Sequence, residues 1–357
     1  MPVPFRRSVF ACLAAALAAL PLAACGHGGD GLNRIVRTTS NVAGAGVVGV
    51  DRDTRTACPL PAAPDPAVGR TRTIAQADGV AEAPADPQRV VVLDTQALDA
   101  ACALGLWERI VGAVTLPGGA RGIGELPRTE SPQPRYLGYG VRRIASVGPV
   151  GAPDPNAIRG LHPDLIIGAG PAGPADWRAL SAIAPTVFTG KALGWQQEFL
   201  ATATALNREQ AGKQALAAYK KRAKDLGARQ WAQLTQASVL RFTDGRIDIE
   251  GVDSFAGLVL TDVGVARPLD QRGQTSALDR ADLKKADGDL IYAILAGEAG
   301  KDFGKQVMET DAWRDLGAAD DRRVFAVNDA IWTGQGLTAA NSLLSDIEAT
   351  VNGYVTN

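Results

Sequence analysis

The chain has 357 residues, a formal net charge of −1 and two histidines. A charge so close to neutral excludes an extended basic face for nucleic acid, and so few imidazoles exclude a zinc or manganese site built on histidine. The sequence also has no GxSxG motif, which argues against a hydrolase of that type. We therefore expect that the chain is not an enzyme and has no cofactor of its own.

The N-terminus has the organisation of a secretory signal. Arg6 and Arg7 form a basic start, Val9 to Leu20 is an apolar run, and Leu22-Ala23-Ala24-Cys25 closes it. The run is too short for a membrane-spanning helix and is typical of a signal peptide. Cysteine after Leu-Ala-Ala resembles a bacterial lipobox, which predicts a signal peptide at residues 1–24 and lipidation of Cys25. The alternative is an ordinary signal peptide that contains a cysteine.

Residues 25–85 are predicted to be a lipidated, flexible tether. The segment is rich in Gly, Pro, Ala and Thr and has little periodicity, so it offers few apolar residues for a core. Cys12 leaves with the signal and Cys25 carries the lipid, so Cys58 and Cys102 remain. An even number of remaining cysteines in a protein outside the cytoplasm predicts a disulfide between these two. Two unpaired buried thiols are the alternative.

Short β-branched runs alternate with helical patterns over residues 86–194, which predicts an α/β lobe with a parallel sheet. The predicted strands are Arg89–Leu93, Ile110–Val114, Ile144–Val147, Leu165–Ile167 and Thr186–Thr189. A Gly/Pro-rich loop over residues 121–139 interrupts them. Gly168 to Gly173 matches GxGxxG, but Pro171 removes a backbone donor from the turn, so we interpret this loop as cleft lining and not as a dinucleotide site.

The alternation stops between residues 195 and 235, where the pattern predicts helix without any strand. Asn207 and Gln210 are spaced as in a capping box, and a helix from there to Leu234 would be about 40 Å long. Strands and helices then alternate again over residues 236–357, beginning with a hairpin around Asp244-Gly245. The predicted fold is therefore two α/β lobes joined by one long interlobe helix, with a ligand between the lobes.

Several stretches in this order resemble one family. They are Ser146-Val147-Gly148, Pro155-Asn156-Ala157-Ile158, His162-Pro163-Asp164-Leu165-Ile166-Ile167, Leu180 to Val187, Trp313-Arg314-Asp315-Leu316 and Arg323-Val324-Phe325-Ala326-Val327. From Arg89 to the C-terminus the chain is similar to the class III substrate-binding proteins of ABC transporters, within them to the iron(III)-dicitrate and ferric-siderophore lipoproteins of the mycobacterial type.

The resemblance implies a lipoprotein on the outer face of the plasma membrane that delivers a ferric siderophore or ferric citrate to an ABC importer permease. Haem or cobalamin binding and an envelope scaffold with a vestigial cleft are the alternatives. Many members of the family carry a glutamate at the tip of each lobe for docking on the permease. This chain has Asn156 at the first of these positions, and Asp279 and Asp282 near the second.

The candidate ligand residues follow strand ends, where open α/β sheets bind ligands. Arginine and aromatic side chains would suit an anionic ferric chelate, and a tyrosine could alternatively ligate haem iron. In the first lobe the candidates are Asp94, Thr95, Arg135 and Tyr136, of which Tyr136 is the potential haem ligand. At the start of the interlobe helix and in the second lobe they are Trp195, Arg241, Phe242 and Trp332.

Overall fold

The computed structural model describes residues 34–36, 41–49, 57–76, 79–116, 133–170, 174–190 and 194–355. The predicted signal peptide, Cys25 and most of the Gly/Pro-rich loop lie outside these residues. Among the described helices, none combines the length and the apolar character that crossing a membrane requires.

Much of the segment predicted to be a flexible tether is folded, so this prediction is wrong for its described part. The segment contributes five strands, β1 (Arg34–Val36), β2 (Asn41–Val42), β3 (Ala45–Val47), β4 (Thr71–Gln76) and β5 (Gly79–Pro84). β4 and β5 form a hairpin, whereas β1 pairs with residues 353–355 and β3 pairs with Phe325 and Ala326. Because the partners of β1 and β3 lie near the other end of the chain, the local sequence carries little signal for these strands.

The first lobe is built on a five-stranded parallel sheet in the order β10-β9-β6-β7-β8. Its strands are β6 (Val90–Val92), β7 (Ile110–Thr115), β8 (Ala145–Pro149), β9 (Leu165–Gly168) and β10 (Thr186–Phe188). Its helices are α1 (Thr95–Ala103), α2 (Pro155–Gly160) and α3 (Pro174–Ser181). The Val/Ile-rich strands are buried on both faces, as expected for a parallel sheet covered by helices.

Two consecutive helices connect the lobes, α4 (Trp195–Ala205) and α5 (Glu209–Gln230). α4 packs on α1 of the first lobe, and α5 packs on α4 and on two helices of the second lobe. Residues 195–235 contain no strand, as predicted, and the 22 residues of α5 correspond to about 33 Å of helix. Trp231, with left-handed backbone, ends α5 before a 3-10 turn at Ala232–Leu234.

The capping-box interpretation of Asn207 is wrong. Asn207 has a positive φ of 56° and lies in the junction between α4 and α5. Its amide nitrogen donates to the carbonyl oxygens of Asp65 and Ala85, and the buried Arg208 donates to the carbonyl oxygen of Ala62. The junction therefore holds the segment before the first lobe in place, and Asp65 of that segment accepts a hydrogen bond from the N–H of Gln210 in the first turn of α5 at 3.2 Å.

The second lobe is built on a seven-stranded sheet in the order β13-β12-β11-β14-β15-β3-β2. Its own strands are β11 (Ala237–Phe242), β12 (Ile247–Ile249), β13 (Ser276–Leu278), β14 (Leu290–Leu295) and β15 (Val324–Val327), and β16 (Gly353–Val355) pairs separately with β1. The helices are α6 (Phe255–Val263), α7 (Gly297–Met308), α8 (Asp311–Arg314), α9 (Gly317–Asp320), α10 (Asp329–Trp332) and α11 (Leu337–Thr350). The predicted fold class of two α/β lobes is confirmed, while the single interlobe helix expected over residues 195–235 is two helices, α4 and the longer α5.

A buried carboxylate connects the lobes. Asp99 of α1 accepts hydrogen bonds from the backbone N–H groups of Thr338 (2.7 Å) and Ala339 (3.0 Å), the first turn of α11. The phenol of Tyr136 donates to the same carboxylate. Because the first N–H groups of a helix have no partner within it, Asp99 caps α11 from the other lobe. Burial raises the pKa of Asp99 to about 6, although these hydrogen bonds oppose the shift.

Candidate functional site

Asp94 and Thr95 follow β6 at the carboxyl end of the first sheet, as predicted. Asp94 caps α1 by accepting a hydrogen bond from the N–H of Ala97 at 2.7 Å, and it also accepts one from the N–H of Ala169 after β9. Both oxygens of Asp94 therefore bind backbone. Thr95 is half-buried in the first turn of α1. The carboxylate thus joins two neighbouring strand ends, and its role as a ligand contact remains a prediction.

Arg135 and Tyr136 lie on a 3-10 helix at Arg135–Leu137. Tyr136 is 5% exposed, and its hydroxyl donates to Asp99 at 2.9 Å. Burial and the neighbouring Asp99 carboxylate raise its pKa well above the ordinary value for tyrosine. The prediction that Tyr136 lines the cleft or ligates haem iron is therefore wrong, because its phenol is buried and holds the cap of α11. Arg135 is half-buried, and its ligand role remains a prediction.

Arg241 and Phe242 cannot both face the cleft, because they are consecutive residues of β11 and successive side chains of a strand point to opposite faces. Phe242 is fully buried in the outer core of the second lobe, where its ring lies 6.0 Å from that of Trp313. Its assignment to the ligand site is wrong. Arg241 lies on the other face and forms an ion pair with Asp329 of α10 at 3.1 Å.

Trp195 and Trp332, 137 positions apart in the sequence, line one cavity of about 280 Å³, which we call the Trp195 cavity. It lies where the start of α4 meets the second lobe. Its lining residues come from the start of α4, the β12–α6 connection, the segment before β13, and the end of α10; they are Gly194, Trp195, Glu250, Asp253, Ser254, Phe255, Leu258, Thr275, Trp332, Thr333 and Gln335. The structure therefore brings two of the predicted aromatic residues to the same site.

The aromatic side of the Trp195 cavity is rigid. The Trp195 ring makes edge-on contacts with Tyr219 of α5 at 5.1 Å and with Phe255 of α6 at 5.6 Å. Trp332 packs on Tyr292 at 4.4 Å, and its Nε1–H donates to Asp346 at 3.0 Å. These contacts fix both indoles before any ligand arrives, which lowers the entropic cost of binding.

The indole N–H of Trp195 has no acceptor among the described residues. Its side chain is 4% exposed, and Nε1 has no hydrogen-bond partner among the described residues. Buried donors are nearly always paired, and one that is unpaired costs about 1–3 kcal/mol. Since this residue lines the cavity, a ligand oxygen is a natural acceptor for it.

Carboxylates dominate the polar side of the cavity. Glu250 follows β12, and burial raises its pKa, while the charge of Arg241 opposes that shift. Asp253 lies exposed at the rim and accepts from the N–H of Thr275 at 2.7 Å, which lowers its pKa. Asp329 lies next to the cavity and forms an ion pair with Arg241, which neutralises the charge of that arginine. The described lining contains two carboxylates and no basic side chain.

Sequence reasoning missed Glu250, Phe255 and Asp329. Asp329 stands two residues after the last strand of the sheet, so the strand-end criterion that nominated Trp332 could have found it. Glu250 and Phe255 follow an antiparallel strand, to which that criterion does not apply. Gln335, also in the lining, has a left-handed backbone with φ 55° that no sequence pattern predicts.

The predicted Cys58–Cys102 disulfide is confirmed, with a Cα–Cα distance of 4.8 Å that is normal for the bond. It fastens residues before the first lobe to α1. Within the described residues, no group of three or more His, Cys, Asp or Glu side chains is placed to hold a metal ion.

Known proteins share this architecture. The chain is 32% identical over 296 residues to the probable siderophore-binding lipoprotein YfiY of Bacillus subtilis (strain 168), a match that covers 78% of this chain and 87% of that one. It is 26% identical over 279 residues to the petrobactin-binding protein YclQ of the same organism, over 74% and 83% of the two chains. The crystal structure of Staphylococcus aureus SirA complexed with staphyloferrin B superposes with a TM-score of 0.64 at 24% identity, covering 79% and 99%.

The family assignment follows from the extent of the match. Residues 90–330 fit the model of the Periplasmic binding protein family, and this range runs from β6 of the first lobe through the interlobe helices to α10 of the second. The chain belongs to the Periplasmic binding protein family.

Proposed function

We propose that this chain is an exported lipoprotein that binds a ferric chelate, either a siderophore or ferric citrate, and delivers it to the permease of an ABC importer. The observation that carries the proposal is the Trp195 cavity, which lies at the junction of the interlobe helices with the second lobe. The names of YfiY and YclQ support the ligand class, since these relatives are described as siderophore-binding and petrobactin-binding.

The chemistry of the cavity suits a cargo that is held and released unchanged. Three aromatic side chains, Trp195, Phe255 and Trp332, offer apolar faces for the organic part of a chelate. The site requires no nucleophile or resident metal, because the iron arrives inside its chelator. We accordingly propose no catalytic role.

Attachment to the membrane through lipidated Cys25 is part of the proposal. Only nine positions separate Cys25 from Arg34, the first residue of β1. Nine extended residues span at most about 32 Å. A lipid on Cys25 would therefore keep the folded body close to the membrane surface, where an importer could receive the cargo. A single acyl chain binds membranes only reversibly, whereas several chains on one cysteine anchor stably.

Tryptophan fluorescence tests the proposal, because two indoles line the cavity. We expect a ferric siderophore or ferric citrate to quench the fluorescence of the mature protein with micromolar or tighter affinity. Trp195→Phe and Trp332→Phe should each remove part of the quenching. Trp313→Phe is the matched control, since Trp313 is equally buried but lies in the outer core beyond the sheet.

Two results would count against the proposal. Absence of quenching by every ferric chelate, confirmed by calorimetry, would exclude this ligand class. Equal loss of quenching in the Trp195, Trp332 and Trp313 variants would place the chelate elsewhere on the protein.

A further inference from the structure

The charge around the Trp195 cavity is opposite to the one that an anionic chelate requires. Glu250 and Asp253 line the cavity, and Asp329 lies next to it. Two described arginines lie near Glu250, but neither lines the cavity: Arg241 is paired with Asp329 at 3.1 Å, and Arg267 donates to the backbone carbonyl oxygens of Glu250 and Ala237. Binding a polycarboxylate or catecholate here would place negative charge against carboxylates, with no basic side chain in the described lining.

Glu250 is a partly desolvated carboxylate of the lining. Its side chain is half-buried and burial raises its pKa, while the charge of Arg241 and a hydrogen bond with Ser254 oppose that shift. A partly desolvated carboxylate gains from a cation that binds beside it, and none of the described lining residues is basic. Trp195, Phe255 and Trp332 line the same cavity, and aromatic rings attract ammonium groups.

The unpaired Nε1–H of Trp195 gives an independent indication of the ligand. This donor is buried in the cavity lining and has no acceptor among the described residues. A neutral carbonyl or hydroxamate oxygen would satisfy it without adding charge. The cavity thus combines one donor for a neutral oxygen with carboxylates and aromatic faces for a cation.

We propose that the Trp195 cavity is the subsite for an ammonium-bearing arm of a neutral-core, hydroxamate-type ferric chelate. The inference rests on the proposed function and specifies its ligand class. A volume of about 280 Å³ lies below the usual range for a whole drug-sized ligand, so the cavity holds an arm while the iron centre lies outside it. The ammonium group lies between Glu250 and the aromatic faces, and Arg241 keeps Asp329 in place.

The test is a matched pair of ligands that differ at one nitrogen. Ferrioxamine B is a linear ferric trihydroxamate with a free terminal ammonium, and N-acetylation removes that charge without altering the iron centre. In calorimetric titrations of the mature protein at low and physiological salt, we expect ferrioxamine B to bind at least tenfold more tightly than its N-acetyl derivative. Ferric citrate should bind more weakly than both.

Glu250→Gln should reduce the preference for the ammonium form to less than threefold. The matched control is Glu298→Gln, the same change on α7, where Glu298 is 61% exposed and lies 3.8 Å from Lys301. This control should keep the full preference. Thermal unfolding followed by circular dichroism verifies that both variants are folded.

The outcomes separate the two proposals. Equal affinity for the two ferrioxamines, tighter binding of ferric citrate, or an unchanged preference in Glu250→Gln would overturn the ammonium subsite and leave the ferric-chelate receptor intact. Failure of all three chelates to bind, together with absence of fluorescence quenching by every other ferric siderophore, would overturn the proposed function itself.

Discussion

Removal of the Cys58–Cys102 disulfide gives a prediction whose magnitude follows from chain length. The bond joins residues 44 positions apart, and closing a loop of that length in the unfolded chain corresponds to about 4 kcal/mol of conformational entropy at room temperature. Cys58 is half-buried, so Cys58→Ser breaks the bond without placing a hydroxyl in the core. We expect this variant to lose about 3–4 kcal/mol of the free energy of unfolding.

Urea unfolding followed by far-UV circular dichroism measures the loss, with oxidised wild type as reference. The wild type treated with reductant should match Cys58→Ser, which separates the effect of the bond from that of the substitution. Cys58→Ser/Cys102→Ala should lose roughly 1 kcal/mol more, because Cys102 is fully buried and the smaller side chain leaves a void. A Cys58→Ser protein within 1 kcal/mol of the oxidised wild type would refute the entropic reasoning.

Two further predictions concern the contact between the lobes. Because the folded pKa of Asp99 is raised to about 6, above its ordinary value of 3.8, its contribution to stability is full below pH 3.8 and is lost as pH rises through 6. Between acid and neutral pH, the wild type should therefore lose on the order of 3 kcal/mol of unfolding free energy relative to Asp99→Asn. A shift in favour of wild type would mean that the hydrogen bonds from α11 outweigh burial. Gly336→Ala would place a Cβ 2.2 Å from Cγ of Asp99 and should destabilise by about 2–3 kcal/mol. Its control, Gly160→Ala, meets no atom within 4 Å and should be neutral or slightly stabilising. Equal melting temperatures for these two glycine variants would contradict the cap.

The sequence predicted the elements whose signals are local. The β-branched runs of the two main sheets, the strand-free stretch that became α4 and α5, and the Asp244-Gly245 hairpin were recognised from periodicity and turn chemistry. The disulfide was predicted by counting cysteines. The folded state of the described part of residues 34–85 was missed because β1 pairs with β16 and β3 pairs with β15, more than 250 positions away.

Errors at the site have a different physical origin. Phe242 was assigned to the cleft with Arg241, although adjacent strand residues face opposite sides, and its side chain belongs to the outer core. Tyr136 was chosen for its phenol, which a buried carboxylate from α1 holds. Trp195 and Trp332 were both nominated, but the cavity that they share depends on how α4 packs on the second lobe. The acidic character of that cavity comes from Glu250 and Asp253, and no local pattern places either residue at a ligand site.

The most direct test of ferric-chelate binding between the lobes is the position of iron in crystals of the mature protein grown with a ferric siderophore. Diffraction recorded above and below the iron absorption edge locates the metal without assumptions about the ligand. We expect one anomalous peak beside the Trp195 cavity, within the length of a chelate arm of Glu250 and Trp332. A peak on the outer face of either lobe, or fully bound chelate with no density near the cavity, would contradict it.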